Sequence, residues 1–519
     1  MSLPLDAPRR PDVVFITVDQ WRGDLAPGVP GSFIPTPNLS ALAREATSFR
    51  SHYTQAYPCG PARAGLLTGL YAHKHRSISN GTPLDRRHRT VFEAARDRGY
   101  APVLFGYTDT TPDPRSLSPR DPARLNYAGV AAGLEVGCLL DEDARPWIAH
   151  LMARGYQIDA PQKGRDGVFA QRAFGAPALY GPEDSETAFL TDQVLGHMAT
   201  AADDPLFLHI SYIAPHPPFA ATAEWLNRIN PKDVPAPRLG PDASPQHPLL
   251  DHLLANADLS RFVPGLSGPA AAASAEVMAT IRHAYAALAA EVDHHIGRLI
   301  AQLKAMGRWE NTIFILSGDH GEMLFDRGLL GKVGWFDESA HVPLIFRMPG
   351  GAQGHIVEDF TQSIDIFATL VELLGLRDDV NLDGNSLSPF LQGKAPADWR
   401  QAAFWSHDFR SLAGQGAGAA LKIPPGRCNL QVMRGRDFKY VHSTGLPPLL
   451  FDLRDDPDQK LNRIGDPACR DLHMAGLEGL LELRLQHEAE ELSAVEASDG
   501  QLWDWRAQNR RDLYTLRED

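Results

Sequence analysis

The stretch Val13-Val14-Phe15-Ile16-Thr17-Val18, followed by Asp19-Gln20, decides which fold the sequence predicts. It is short, rich in β-branched residues and continuously apolar, which is typical of a strand buried on both faces of a parallel sheet. Three later stretches have the same character and also run into polar residues: 102–106 before Tyr107-Thr108, 206–212 before His216, and 312–316 before Asp319-His320. Because parallel strands end at one edge of a sheet, these polar residues are expected to converge on one crevice.

Helical patterns separate these strands. Thr36-Pro37 starts one of them, with Thr as N-cap and Pro at the first helical position. A second helix is predicted over 90–99, and a long one over 270–306 from apolar residues three and four apart. This alternation predicts a doubly wound α/β fold whose mostly parallel central sheet is flanked by helices. The segment 112–204 has no clear pattern and is interpreted as an insertion.

The pattern changes beyond residue 384. Two short antiparallel strands and a helix are predicted there, at 434–441, 449–453 and 474–485. The interpretation is therefore a catalytic α/β domain over 1–384 and a smaller α+β subdomain over 385–519, which ends in a tail. Trp503 and Trp505 make that tail too aromatic for a disordered segment, and it is expected to pack on its own chain or on a neighbouring subunit.

The composition of the chain excludes several classes of protein. The chain has 519 residues, of which 43% are hydrophobic and 22% charged, as in ordinary soluble globular proteins. Its net charge of −14 disfavours nucleic acid as a partner, because phosphate backbones are bound by basic surfaces. The N-terminus does not resemble a signal peptide, and no apolar run is long enough to span a bilayer, so a cytoplasmic protein without membrane contact is expected. The four widely spaced Cys residues form no disulfide pattern.

One of these Cys residues lies in an unusual motif. Cys59-Gly60-Pro61-Ala62-Arg63 leads directly into a helix-like apolar run over 64–69. The motif resembles the signature of the formylglycine sulfatases and phosphonate monoester hydrolases of the alkaline phosphatase superfamily. Asp19-Gln20, Gly318-Asp319-His320-Gly321 and Lys332 stand in the same order as in that family. The resemblance implies an alkaline-phosphatase-like fold.

The resemblance also implies cofactors. Cys59 would be oxidised by a formylglycine-generating maturation enzyme, and the hydrated aldehyde would act as the nucleophile. A hard divalent cation prefers oxygen ligands with an occasional imidazole. The expected ligand set is given by five positions: Asp19, the Gln20 carbonyl, a diol oxygen at Cys59, Asp319 and His320. The Gln and His ligands favour Mn²⁺, with Ca²⁺ as the other option.

Further site residues are predicted from the same resemblance. Arg63 is expected to hold and neutralise the diol, because a guanidinium stays charged at any working pH. His216 is the candidate general acid for the leaving alcohol, and Lys332 is expected to contact the non-bridging oxygens of the substrate. Neutral hydrogen bonds to those oxygens are expected from Asn80, Tyr107 and Thr108.

Two departures from most sulfatases indicate a branch of the family. Asp19-Gln20 stands where they have two adjacent Asp residues, and Gly106-Tyr107-Thr108-Asp109 stands where they have Gly-Lys-x-His. Both resemble the phosphonate monoester hydrolases, which also hydrolyse phosphodiesters. The predicted substrate is a small anionic ester of these classes, with promiscuity towards sulfate esters. Two alternatives stay open: an arylsulfatase with the same site, and a protein that only binds anions because Cys59 is unmodified. A homo-oligomer, dimer or tetramer, is expected.

Overall fold

The structure is a computed structural model that describes residues 10–170, 172–201, 204–376, 382–410 and 416–488, and the backbone of 495–498, 501–504 and 511–515. Its strands are β1 Asp12–Val18, β2 Thr47–Tyr53, β3 Ala56–Tyr57, β4 Pro102–Gly106, β5 Glu135–Leu139, β6 Phe207–Tyr212, β7 Thr312–Gly318, β8 Leu344–Arg347, β9 His355–Gln362, β10 Ala402–Asp408, β11 Asn429–Gly435, β12 Phe438–Ser443, β13 Leu449–Asp452, β14 Val495–Ser498, β15 Gln501–Asp504 and β16 Arg511–Thr515.

Its helices are α1 Pro37–Arg44, α2 Cys59–Thr68, α3 Ala72–His75, α4 Val91–Arg96, α5 Arg145–Ala153, α6 Arg165–Phe169, α7 Glu186–Thr200, α8 Ala223–Arg228, α9 Pro248–Asn256, α10 Ala275–Ala305, α11 Asp337–Ala340, α12 Asp365–Leu374, α13 Ser388–Leu391, α14 Ala417–Ala420 and α15 Arg470–Gln486. Short 3₁₀ turns join many of them. Within the described residues, no helix is both long and apolar enough to cross a membrane.

The central sheet has the strand order β5-β4-β6-β1-β7-β8-β2-β9. Strand β8 runs antiparallel to both of its neighbours, and the other pairs are parallel. Val18 lies in register with Gly318 on one side and with Tyr212 on the other. The residues that follow β1, β6 and β7 therefore leave the same edge of the sheet, which confirms the predicted mostly parallel α/β fold.

Helices cover both faces of this sheet. On one face α10 packs against α1, α7 and α8, and on the other α12 packs against α2 and α4. Strands β1, β6 and β7 are consequently buried along their whole length. This double burial explains why they form continuous apolar runs in the sequence.

The segment 112–204 is not an insertion, which corrects the interpretation from the sequence. It supplies the edge strand β5 and the helices α5, α6 and α7, and Trp147 and Val194 from these helices belong to the main core. Most side chains of β5 are exposed, so this strand has no apolar run by which it could be predicted.

A second sheet has the order β13-β12-β11-β10-β3, antiparallel except for the pair β10–β3. The strand predicted over 434–441 corresponds mostly to β12, but it also includes the end of β11 and the hairpin turn between them, because β11 ends at Gly435 and β12 begins at Phe438. Helix α15 packs on this sheet as the predicted C-terminal subdomain. The boundary at 384 stays a prediction. Strands β14–β16 form a third sheet, and the packing predicted for Trp503 and Trp505 lies outside the described side chains.

Candidate functional site

Four of the predicted metal ligands meet at one point. Asp19, Cys59, Asp319 and His320 are all buried, and one donor atom from each lies within 4.8 Å of the others. The Cys59 Sγ is 3.1 Å from His320 Nε2 and 3.9 Å from Asp19 Oδ1. His320 Nδ1 faces the Gly321 carbonyl at 2.9 Å, so its other ring nitrogen points into the group.

Strand register and a helix start bring these residues together. Asp19 directly follows β1 and Asp319 directly follows β7, and these two strands are paired in parallel. Helix α2 begins at Cys59, so the thiol stands at the positive end of the helix dipole. Pro61 lies in the first turn, where its missing N–H breaks no helical hydrogen bond. The Cys59 motif thus places position 59 over two strand ends.

Arg63, one turn further along α2, binds both carboxylates. Its Nε donates to Asp319 Oδ2 at 2.9 Å, and its Nη2 lies 3.4 Å from Asp19 Oδ2. Its Nη1 donates to the Tyr107 carbonyl and to Ser211 Oγ. The guanidinium is buried and stacks over the Tyr107 ring at 4.1 Å. It is therefore held rigidly behind the ligand group.

The electrostatics of this group suit a cation. Burial alone would raise the pKa of Asp19, but His216, His320 and Arg63 hold that pKa well below its usual value. Burial and the nearby Asp19 raise the pKa of the Cys59 thiol well above its ordinary value. Two carboxylates and one imidazole, packed within 4.8 Å of position 59 and shielded from water, match the donor set of a hard or borderline divalent cation.

Gln20 lies beside this group with its polar atoms already in use. Its carbonyl, predicted as a ligand, accepts a hydrogen bond from Tyr285 Oη at 2.8 Å. Its side-chain oxygen accepts from Lys332 Nζ at 2.7 Å, and its side-chain nitrogen donates to Glu322. Its backbone is in the left-handed region, with φ 68°. Gln20 links Lys332 to Glu322 in this structure, and its service as a metal ligand stays a prediction.

A cavity of about 300 Å³ opens above the ligand group. Asp19 and Cys59 lie in its lining, together with four further predicted site residues: Asn80, Tyr107, His216 and Lys332. Asn80 accepts a hydrogen bond from the Gly60 N–H at 2.9 Å, which ties its loop to the start of α2. The Tyr107 hydroxyl donates to Asp19.

Thr108 does not join these residues, which corrects its expected position. Its hydroxyl donates to the Gly129 carbonyl and accepts from the Ala131 N–H, both at 2.9 Å. It is fully buried under that loop and is absent from the cavity lining. The next residue, Asp109, lines the cavity instead. Burial raises the pKa of Asp109 to about 6, against the opposing effect of Arg63.

His216 and Lys332 stand on the cavity wall. His216 Nδ1 lies 2.7 Å from the Pro217 carbonyl, which leaves Nε2 as the ring nitrogen that can serve the cavity. Burial, followed by the charge of Lys332, lowers the pKa of His216 to about 3. Burial opposes the charge on Lys332, but Cys59 and the two Asp carboxylates outweigh it and raise the pKa of the ammonium group.

Three residues of the site were missed in the sequence. Glu322 accepts from the Gln20 side chain and from the N–H groups of Leu324 and Gly331. Ser211 and Asp109 complete the surroundings of Arg63 and the cavity. Asp109 could have been found as a polar residue just beyond a buried strand. Glu322 and Ser211 carry no comparable signal in the sequence.

Comparison with known proteins identifies the family of the chain. The family model "Sulfatase" matches residues 11–376, and the model "N-sulphoglucosamine sulphohydrolase, C-terminal" matches 318–486. A multifunctional alkaline phosphatase superfamily protein, PehA of Trinickia caryophylli, is 36% identical over 92% of this chain and 96% of its own length. The choline-sulfatase of Rhizobium meliloti is 27% identical over 95% of this chain and 90% of its own.

Two solved structures are similar throughout. The phosphonate monoester hydrolase of Agrobacterium radiobacter has a TM-score of 0.90 and 40% identity, and that of Silicibacter pomeroyi has a TM-score of 0.90 and 37% identity. Each alignment covers 95% of this chain and 99% of the other. With the sulfatase model spanning most of the chain and these relatives spanning nearly all of it, this protein belongs to the sulfatase family of the alkaline phosphatase superfamily and is a hydrolase.

Proposed function

We propose that this hydrolase cleaves phosphonate monoesters and phosphate diesters, and more weakly sulfate esters, in the cavity above Cys59. The proposal rests on one observation: position 59 lies together with Asp19, Asp319 and His320 on the floor of that cavity. Arg63 contacts this group from within the protein. The uncharged polar side chains of Asn80 and Tyr107 line the part of the wall next to this group, which suits a monoanionic ester. The two phosphonate monoester hydrolases at 40% and 37% identity support the same substrate class.

The cofactors belong to the proposal. A divalent cation held by Asp19, Asp319 and His320, together with formylglycine at position 59, would supply a Lewis acid and a hydrated-aldehyde nucleophile. The protein orients this group through Arg63, whose contacts hold both carboxylates in place. Lys332 supplies positive charge to the incoming ester from the cavity wall, and it is aligned by Gln20.

His216 is proposed as the group that protonates the leaving alcohol. Its low pKa leaves the ring neutral in the empty cavity. A bound anionic ester raises that pKa, because a nearby negative charge favours the imidazolium form. Nδ1 stays oriented by the Pro217 carbonyl, so the acquired proton is held on Nε2, which faces the substrate. The alcohol leaves with that proton.

The direct test compares two substrates. We expect kcat/KM for an aryl phenylphosphonate to exceed that for the aryl sulfate with the same leaving group. An arylsulfatase is the second candidate, supported by the family model and by the choline-sulfatase relative. A strong preference for the sulfate would select it. The shared leaving group ensures that the comparison reports the reacting centre alone.

The cation is proposed to be Mn²⁺ rather than Ca²⁺, because His320 provides an imidazole nitrogen. Metal analysis of the purified protein, followed by chelation and reloading with each ion, tests this. Mn²⁺ should restore more activity and a higher melting temperature than Ca²⁺, since any ligand that binds only the folded state stabilises it. Equal or better restoration by Ca²⁺ would contradict the choice.

The modification is tested separately. Mass spectrometry of the peptide that contains Cys59 should show formylglycine, in larger amounts after co-expression with a formylglycine-generating enzyme. An intact thiol in protein isolated from its natural host would instead support the third candidate, an anion-binding protein without turnover. A homo-oligomeric state, dimer or tetramer, is also proposed, and sedimentation analysis of the full chain tests it.

A further inference from the structure

Asp109 is a carboxylate on the wall of a cavity proposed to receive anions. It follows β4 by three residues and lines the cavity with Cys59, His216 and Lys332. Its backbone has φ 47°, a left-handed conformation that Asp and Asn tolerate better than other side chains. Its carbonyl oxygen packs against Gly60, where an added Cβ would lie 3.4 Å away. The start of α2 therefore fixes where this residue stands.

The carboxylate of Asp109 has no hydrogen-bond or ion-pair partner within the described part of the chain. Its neighbours differ, because the hydroxyls of Tyr107, Thr108 and Thr110 all donate to protein oxygens. An unpaired carboxylate that is partly buried is unfavourable for folding. Its position on the cavity wall is thus the feature that calls for an explanation.

None of the cationic side chains that line the cavity forms an ion pair with Asp109 within the described part of the chain. Arg63 is committed to Asp19 and Asp319, and Lys332 donates to Gln20. Arg165, also on the wall, makes a two-pronged contact with Glu186. Asp109 lines the same cavity as Cys59 and Lys332, so it borders the space that an ester would enter. Asp109 adds net negative charge next to the reacting group.

We propose that Asp109 is a specificity-determining residue that selects monoanionic over dianionic esters. This inference rests on the proposed function and refines its substrate class. An ester with one negative charge on its reacting group is attracted by the cation site and by Lys332. A second negative charge on the same group is repelled by Asp109 at short range through a medium of low dielectric constant. Phosphate monoesters would thereby be excluded, while diesters and phosphonate monoesters are accepted.

The test is Asp109→Asn, measured at about pH 8, where a phosphate monoester is a dianion. Asn has the same shape and also tolerates the left-handed backbone, so the loop is retained. The measured quantity is kcat/KM for bis(4-nitrophenyl) phosphate divided by that for 4-nitrophenyl phosphate. The variant should lower this ratio about tenfold, the size expected for removing one nearby charge. Inorganic phosphate should also inhibit the variant more strongly than the wild type.

The matched control is Asp121→Asn, which removes one negative charge outside the cavity. Asp121 caps a 3₁₀ turn through the Ala123 N–H, and an Asn oxygen can accept the same bond. This variant should keep the wild-type ratio. An unchanged ratio in active Asp109→Asn protein would overturn the role of Asp109 alone. A wild-type protein that cleaves neither the diester nor an aryl phenylphosphonate would overturn the proposed function, and the inference with it.

Discussion

Two buried clusters of charge in this molecule contrast with each other. One is the site around Cys59, and the other lies under the second sheet, where Lys439 is completely buried. Lys439 Nζ lies 2.7 Å from Asp337 Oδ1 and 2.7 Å from Gln459 Oε1, and it donates to the Trp335 carbonyl at 3.2 Å. Arg434 contacts the other oxygen of Asp337. The ammonium group therefore has two hydrogen-bond acceptors and one ion-pair partner.

The site around Cys59 is not closed in this way. Among the described residues Lys332 donates only to Gln20, and Asp109 has no partner. The same types of side chain therefore serve structure where each charge is paired with an opposite charge, and are available for chemistry where some are not. The pKa values of the two lysines differ accordingly. Burial lowers the pKa of Lys439 to about 8, whereas the surrounding anionic groups raise the pKa of Lys332.

The largest expected effect is at Cys59. Cys59→Ala should lower kcat by at least about 10⁴-fold, because it removes the proposed nucleophile. Stability should change little, as one sulfur is lost beside an open cavity. Steady-state kinetics and thermal melting check both parts. Cys428→Ala, at another buried free Cys, is the control and should remain active. Near-normal activity of Cys59→Ala would refute the mechanism.

Lys439→Met should be the most destabilising of the changes considered. It leaves Asp337, which is partly buried with 24% of its side chain exposed, with only Arg434 to compensate it, and this costs up to about 3 kcal/mol. Calorimetric melting measures the loss. The folded variant should hydrolyse the phosphonate ester with wild-type kcat/KM, since the cluster does not line the cavity. Reduced kcat/KM at unchanged stability would break the contrast between the two clusters.

Lys332→Met is the same substitution in the other cluster, and the reverse outcome is expected. kcat/KM should fall about 10²- to 10³-fold, because a positive charge aimed at the substrate oxygens is lost. The free energy of unfolding should change by less than about 1 kcal/mol, since water in the cavity can take over the hydrogen bond to Gln20. A strongly destabilised but fully active variant would assign Lys332 to structure.

The smallest effect is expected at Glu291. This buried carboxyl group has no cationic partner among the described residues, which distinguishes it from the carboxylates of the two clusters. It is buried in α10, where Ser185 donates to it, and burial raises its pKa from 4.5 to about 8. Between these values the unfolded chain has released a proton that the folded chain keeps, so this group makes stability fall as pH rises. Glu291→Gln removes the effect.

Relative to wild type, Glu291→Gln should therefore gain roughly 2 kcal/mol of stability between about pH 5.5 and 7.0. Melting of both proteins at the two pH values measures the change. A stability difference that does not vary with pH would show that the carboxyl is ionised in the folded state.

Much of the fold could be predicted from local pattern. Strands β1, β4, β6 and β7 were found within two residues of their bounds, because strands buried on both faces are continuously apolar. Strand β5 escaped prediction because it lies exposed at the sheet edge. The hairpin turn between β11 and β12 was taken for strand because both of its flanks have strand composition.

The site residues were also only partly predictable from the sequence. Asp19 and Asp319 were predicted as site residues because each directly follows a strand. The structure places them together because their strands pair in register. Thr108 was chosen over Asp109, since sequence spacing does not show which residue after a strand turns towards the cavity. Packing of the Asp109 carbonyl against α2 decides that.

By itself, the sequence determined the inventory: the Cys59 motif, the acidic strand ends and the family to which they belong. Only the tertiary structure decided which charges are paired and which remain available. Lys439 and Lys332 are both lysines near carboxylates, and no local pattern distinguishes them. The physical reason is that electrostatic compensation depends on distances through space between segments as much as three hundred residues apart, and these distances exist only once the chain is folded.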